Sequence, residues 1–246
     1  MSTDSIDETE GTATPPAISR HVTFEGCQVG SDPAPILEGR LHVPEDGMLH
    51  AAVVLCHANP SAGGHMDMKV MLAIESALIA SDFAVLRYNS RGVHGSGGKM
   101  SGTADHKLVS PEGEPETEDV GGALDFLAMQ SGVDSTRMAL VGHSFGSRIS
   151  LAYLASHTDE ARVGAVVCIG LPVAWRDLGY LGQWPHPKLF VTGEHDDFCP
   201  PDKLAEYVAT LPEPKTQVTL RKTGHFFEGR ENDLADVVDA FLKQTT

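Results

Sequence analysis

Gly142-His143-Ser144-Phe145-Gly146 lies between two stretches of different periodicity. Before it, Met138-Ala139-Leu140-Val141 is a short apolar run with strand character. After it, Ser147-Arg148-Ile149-Ser150-Leu151-Ala152-Tyr153-Leu154 carries apolar residues at helical spacing. Ser144 is therefore expected at a strand-to-helix turn, where a sharp backbone bend holds its hydroxyl in the open. Glycines two residues to either side remove the Cβ atoms that would collide across such a turn. The first N–H groups of the following helix favour negative charge beside the serine, which is half of an oxyanion-binding site. Alone, so short a pattern also reads as a glycine-rich turn; partners downstream separate the two readings.

A serine hydroxyl is a poor nucleophile until a base takes its proton, and a carboxylate orients that base. Gly193-Glu194-His195-Asp196-Asp197 follows an apolar strand, Lys188 to Thr192, and Thr223-Gly224-His225-Phe226-Phe227 follows another, Gln217 to Leu220. In a parallel sheet the carboxyl ends of strands gather at one edge, where ligand sites form. Ser144, an acid near position 196 and His225 are expected to meet there.

The rest of the chain supports such a sheet. His21 to Gln28 and Ile36 to Val43 alternate apolar and polar residues, as half-buried antiparallel strands do. From Ala51 onward, apolar strands alternate with amphipathic helices. Ala52–Cys56, Phe83–Tyr88 and Ala165–Ile169 read as strands. Met66–Ala80, Glu116–Met129, Pro201–Leu211 and Asp233–Leu242 read as helices. That alternation predicts an α/β domain, residues 21–246, with a mostly parallel sheet between helices. Residues 1–20, polar and rich in proline, read as a disordered tail without the basic start or apolar stretch of a signal peptide.

Four stretches, Cys56-His57-Ala58-Asn59-Pro60 with Gly63-Gly64-His65-Met66, Arg87-Tyr88-Asn89-Ser90-Arg91-Gly92, Gly142 to Gly146, and Gly224-His225-Phe226-Phe227, carry a resemblance to the α/β-hydrolases. The chain is most similar within them to small, lidless bacterial serine hydrolases, over roughly Val29 to Leu242. The order Ser, Asp, His is the one these enzymes use. The resemblance implies a sheet of about eight strands without a large cap domain, Ser144 as nucleophile and His225 as general base. It also implies Asp196 as the acid, with Asp197 the runner-up. The second oxyanion donor belongs to the loop after the Ala52–Cys56 strand. Pro60 has no N–H, leaving Ala58 or Asn59, and the resemblance favours Asn59 alongside the N–H of Phe145. No cofactor or metal is implied.

Two connections bear on the site's shape. The loop from Gly92 to Pro115, through Lys99, His106, Lys107 and Glu112, is longer than the resemblance predicts. It reads as a partial cover for the site, as an extension of an acyl groove, or as slack. Only Leu171 to Pro187 stands where many hydrolases insert a lid, so the site is expected to be open. Trp175, Leu178, Tyr180 and Trp184 are its wall candidates, or ordinary loop packing.

Other functions fit less well. The 246-residue chain carries a net charge of −16, with 34 acidic and 18 scattered basic residues, which disfavours nucleic acid and anionic membranes as partners. Gly92 to Ser101 fails as a phosphate loop, since Val93 replaces a required glycine and Met100 the hydroxyl residue. The twelve histidines include no H-x-H or H-E-x-x-H pair, so no metal site is expected. His57 and His143 read as structural hydrogen-bonding residues, and Arg91 with Asp119 as a pair holding loops. Cys27, Cys56, Cys168 and Cys199 form no C-x-x-C pair, consistent with a reduced, cytoplasmic protein.

The expected activity is hydrolysis of small-molecule carboxylic esters or thioesters through an acyl-enzyme on Ser144. Acyl transfer, or peptide or lactone cleavage, by the same three groups is the alternative, followed by a non-catalytic binding relative. The sequence leaves the oligomeric state unknown.

Overall fold

Strands buried on both faces dominate the fold. In the computed structural model, which describes residues 19–100, 115–173 and 184–246, the sheet has eight strands in the order β1-β2-β4-β3-β5-β6-β7-β8. These are β1 Arg20–Glu25, β2 Ile36–His42, β3 His50–Cys56, β4 Ala84–Tyr88, β5 Val133–His143, β6 Val163–Ile169, β7 Lys188–Gly193 and β8 Lys215–Leu220. β2 runs antiparallel to both β1 and β4, and the strands from β4 to β8 are mutually parallel. The expected tail lies almost wholly outside the described residues, as do 101–114 of the long loop and Trp175, Leu178 and Tyr180.

The helices are α1 Lys69–Ile79, α2 Pro115–Ala128, α3 Phe145–Ser156, α4 Pro201–Ala209 and α5 Glu231–Thr245. Strand residues alternate between two apolar layers, because successive side chains point to opposite faces. Ala52, Val54 and Cys56 of β3 pack with α2, α3 and α4. Val53 and Leu55 pack with α1 and α5. Both faces are thus covered, as a parallel sheet requires. Among the described residues, no helix is long and apolar enough to cross a membrane.

Boundaries differ from the sequence reading where polar contacts outweigh apolar pattern. α1 begins at Lys69 rather than Met66, because the Met66 N–H donates to Asn89 Oδ1 at 2.8 Å and Arg87 holds Asp67 in the preceding turn. β5 starts at Val133 rather than Met138; residues 134–137 are polar and only partly covered, so no apolar run announces them. The connection from β6 to β7 spans only residues 170–187, leaving no room for a cap domain.

Candidate active site

Ser144 is the one residue between β5 and α3, and the turn strains it. Its φ of 55° and ψ of −110° lie in a region that a residue with a Cβ rarely occupies. Close packing holds it there. A Cβ on Gly142 would sit 2.3 Å from the Gly146 carbonyl carbon, and one on Gly146 only 2.0 Å from the Cys56 carbonyl oxygen. No larger residue fits at either place, so the turn is pressed against the end of β3. The Ser144 N–H donates to the Ile169 carbonyl at 2.7 Å. Ser147 Oγ lies 2.7 Å from the Gly142 carbonyl and accepts the Ile169 N–H at 3.0 Å, fastening the turn to β6. Sequence reading missed Ser147, since a serine within a helix gives no signal of this kind.

Three side chains from three strand ends form one hydrogen-bonded row. The Asp196 carboxylate, after β7, can only accept, so His225 Nδ1 carries the hydrogen that meets Oδ2 at 2.9 Å. Nε2 is left as an acceptor, and the Ser144 hydroxyl donates to it at 2.8 Å. Asp196 and His225 are 2% and 8% exposed, so the row is shielded from water except near the partly open Ser144. Asp196 Oδ1 also accepts the N–H groups of Phe198 and Cys199, at 2.9 and 2.8 Å. Asp197 is exposed and makes no contact with the imidazole among the described residues. The Phe198 and Phe226 rings flank His225, with centroids 4.6 and 5.3 Å from its own.

Asn59 lies beyond the end of β3 and caps the short turn Pro60–Ala62. Its Oδ1 accepts the Ser61 N–H at 2.9 Å, and its carbonyl accepts those of Ala62 and Gly64. The N–H groups of Ala58, Asn59 and Phe145 have no acceptor among the described residues and are free to bind a ligand oxygen.

Buried histidines brace these loops. His57 Nε2 accepts the Ser90 N–H at 3.1 Å, so Nδ1 bears the hydrogen donated to the Ala58 carbonyl at 2.7 Å. His143 Nε2 donates to the His225 carbonyl at 2.9 Å, and His143 Nδ1 is buried without a partner among the described residues. Burial lowers both imidazoles from the ordinary 6.5 to about 4, keeping them neutral. Arg91 binds both oxygens of Asp119, whose carboxyl burial pushes up against the guanidinium's opposing pull. This pair ties the loop after β4 to α2.

Burial raises Cys56 to about 11 and Cys199 to about 12, so neither supplies a thiolate near neutral pH. Trp184 is buried with the Lys188 ammonium 5.4 Å from its ring centroid, which accounts for it as packing at the start of β7. Among the described residues, no three His, Cys, Asp or Glu side chains converge as metal ligands.

The chain belongs to the α/β-hydrolase fold family, whose model matches residues 51–179, a span that holds Asn59 and Ser144 and ends before Asp196. An uncharacterized protein of Rickettsia prowazekii is 25% identical over 214 residues, 84% of each chain. The structure of an alpha-beta serine hydrolase homologue from Coxiella burnetii is 25% identical, with a TM-score of 0.72 over 89% of this chain and 96% of that one. An a/b serine hydrolase without lid from Xanthomonas campestris is 23% identical, with a TM-score of 0.72 over 95% and 97% of the two chains. The chain is thus a hydrolase-family member similar to small lidless homologues.

Proposed function

We propose that this protein is a serine hydrolase of carboxylic esters or thioesters, acting as a single domain over residues 21–246. The observation that carries the reading is the row from Ser144 Oγ through His225 to Asp196, with contacts of 2.8 and 2.9 Å. Ser144 attacks the acyl carbonyl while His225 Nε2 takes its proton. The charge on the tetrahedral oxygen is met by the N–H groups of Asn59 and Phe145. The imidazolium, held by Asp196, protonates the leaving group, and water, activated by the same base, frees the acyl chain. Phe198 and Phe226, beside the imidazole, give the leaving-group side an apolar character.

The test is fluorophosphonate labelling of the wild type and Ser144→Ala, each then assayed on p-nitrophenyl esters of graded chain length. Labelling and turnover that vanish together in the variant support the reading. A folded wild type that neither labels nor turns over points instead to a binding role.

A further inference from the structure

His57 is 1% exposed and both its nitrogens are engaged, one with each of two loops. Its Nδ1 donor meets a particular carbonyl, that of Ala58, which belongs to the same peptide group as the Asn59 N–H. That peptide is trans, since the only cis bond among the described residues is Glu213–Pro214. In a planar trans peptide the C=O and N–H point in opposite directions, so whatever fixes one fixes the other. Main chain packs closely around this peptide, and the His57 bond is the side-chain contact made to its carbonyl among the described residues. A Cβ on Gly64 would lie 2.0 Å from the Ala58 oxygen. Gly146, two residues past Ser144, presses on the carbonyls of Cys56 and His57.

We propose that His57 is a positioning residue for the oxyanion site: by holding the Ala58 carbonyl through Nδ1, it aims the Asn59 N–H at the developing oxyanion. This rests on the reading of Asn59 as an oxyanion donor. The Ser90 N–H sets the tautomer by occupying Nε2, so the end of β4 reports to the site through the imidazole. His57 itself touches no reacting atom.

Two amide substitutions separate the ring's two bonds. The amide nitrogen of Asn stands as far along the side chain as Nδ1, so His57→Asn keeps the bond to Ala58 and gives up Ser90. His57→Gln reaches to the Nε2 position and does the reverse. After fluorophosphonate labelling has established wild-type activity and counted active sites, kcat per site is compared among the variants. His57→Asn is expected within about tenfold of the wild type, and His57→Gln about a hundredfold below it with KM nearly unchanged, the loss typical of one misplaced oxyanion donor. Inhibition by a trifluoromethyl ketone, which forms a tetrahedral adduct, should weaken in His57→Gln in proportion to its loss of kcat/KM. A Gln variant as active as Asn, or more so, overturns the proposal. The nitrogen-15 shifts of His57 in the wild type give a second check that does not depend on variants folding: hydrogen on Nδ1 is expected, and hydrogen on Nε2 overturns it. A wild type without labelling or turnover defeats the hydrolase reading itself, and is distinguished from the other failures by being seen before any variant is made.

Discussion

His143 and His225 are joined through the backbone of one and the ring of the other, His143 Nε2 donating to the His225 carbonyl at 2.9 Å. The residue before the candidate nucleophile therefore grips the loop that carries the candidate base. Replacing His143 by Phe leaves that carbonyl without its donor, at a cost of about 1–3 kcal/mol in urea unfolding. Loosening the His225 loop should also lower kcat about tenfold, little more than 1 kcal/mol of transition-state stabilisation. His143→Gln, whose amide reaches the same carbonyl, is expected to recover most of both. Equal behaviour of the two variants would show that the bond does not matter.

A second expectation concerns pH. His57 and His143 are held near 4 by burial, below the ordinary 6.5, and the partly buried His42 is shifted in the same direction. Between these values the unfolded chain binds protons that the folded chain refuses. The stabilisation is complete above about 6.5 and is lost as pH falls towards 4, by up to roughly 3 kcal/mol for each of the two deeply buried rings. The urea midpoint should fall steeply between about pH 7 and pH 5, before most carboxylates titrate. A flat midpoint across that interval would contradict the assignment.

The two aspartates after β7 should separate cleanly in kinetics. Asp196→Asn preserves shape but removes the charge that orients His225, and a loss in kcat of about ten-thousand-fold is expected. Asp197→Asn, at an exposed position, should leave kcat at the wild-type level. The comparison is steady-state turnover of a p-nitrophenyl ester by each variant, and comparable losses in both would remove Asp196 from its proposed role.

Gly146→Ala places a Cβ 2.0 Å from the Cys56 carbonyl oxygen, where only backbone movement can make room. Destabilisation of about 3 kcal/mol or more is expected. Gly30→Ala is the control: φ there is +59°, yet no atom lies within 4 Å of the added carbon, so only local strain of about 1–2 kcal/mol applies. Urea unfolding of both variants tests the contrast, and a Gly146→Ala protein as stable as the control would refute the close packing.

Much of the fold was legible because parallel strands covered on both faces are apolar through their centres, as β3 is from Ala51 to Cys56, β6 from Ala165 to Ile169 and β7 from Leu189 to Val191. The polar start of β5 was not, since its residues leave the buried part of the sheet and lose the pattern that marks a strand. At the candidate site, Ser144, Asp196 and His225 stood out because each follows a strand with the right chemistry, and the structure brings their side chains into one row. Asp196 was preferred to Asp197 on the resemblance alone, since strand pattern does not separate neighbouring loop residues, and the structure sets His225 Nδ1 against Asp196. Ser147 and the Ala58 partner of His57 were invisible for another reason: their hydrogen bonds go to backbone carbonyls or amides, which every residue carries.

The contact of Gly146 with the Cys56 carbonyl has a practical meaning for anyone wishing to redirect this protein. Main-chain atoms set the spacing between the serine turn and the loop after β3, so side-chain exchange beside His225 leaves that spacing intact. A library that varies Phe198 and Phe226 therefore changes the surroundings of the His225 ring on an unchanged main-chain frame. One that varies Gly64, Gly142 or Gly146 mostly samples chains that cannot close the frame at all.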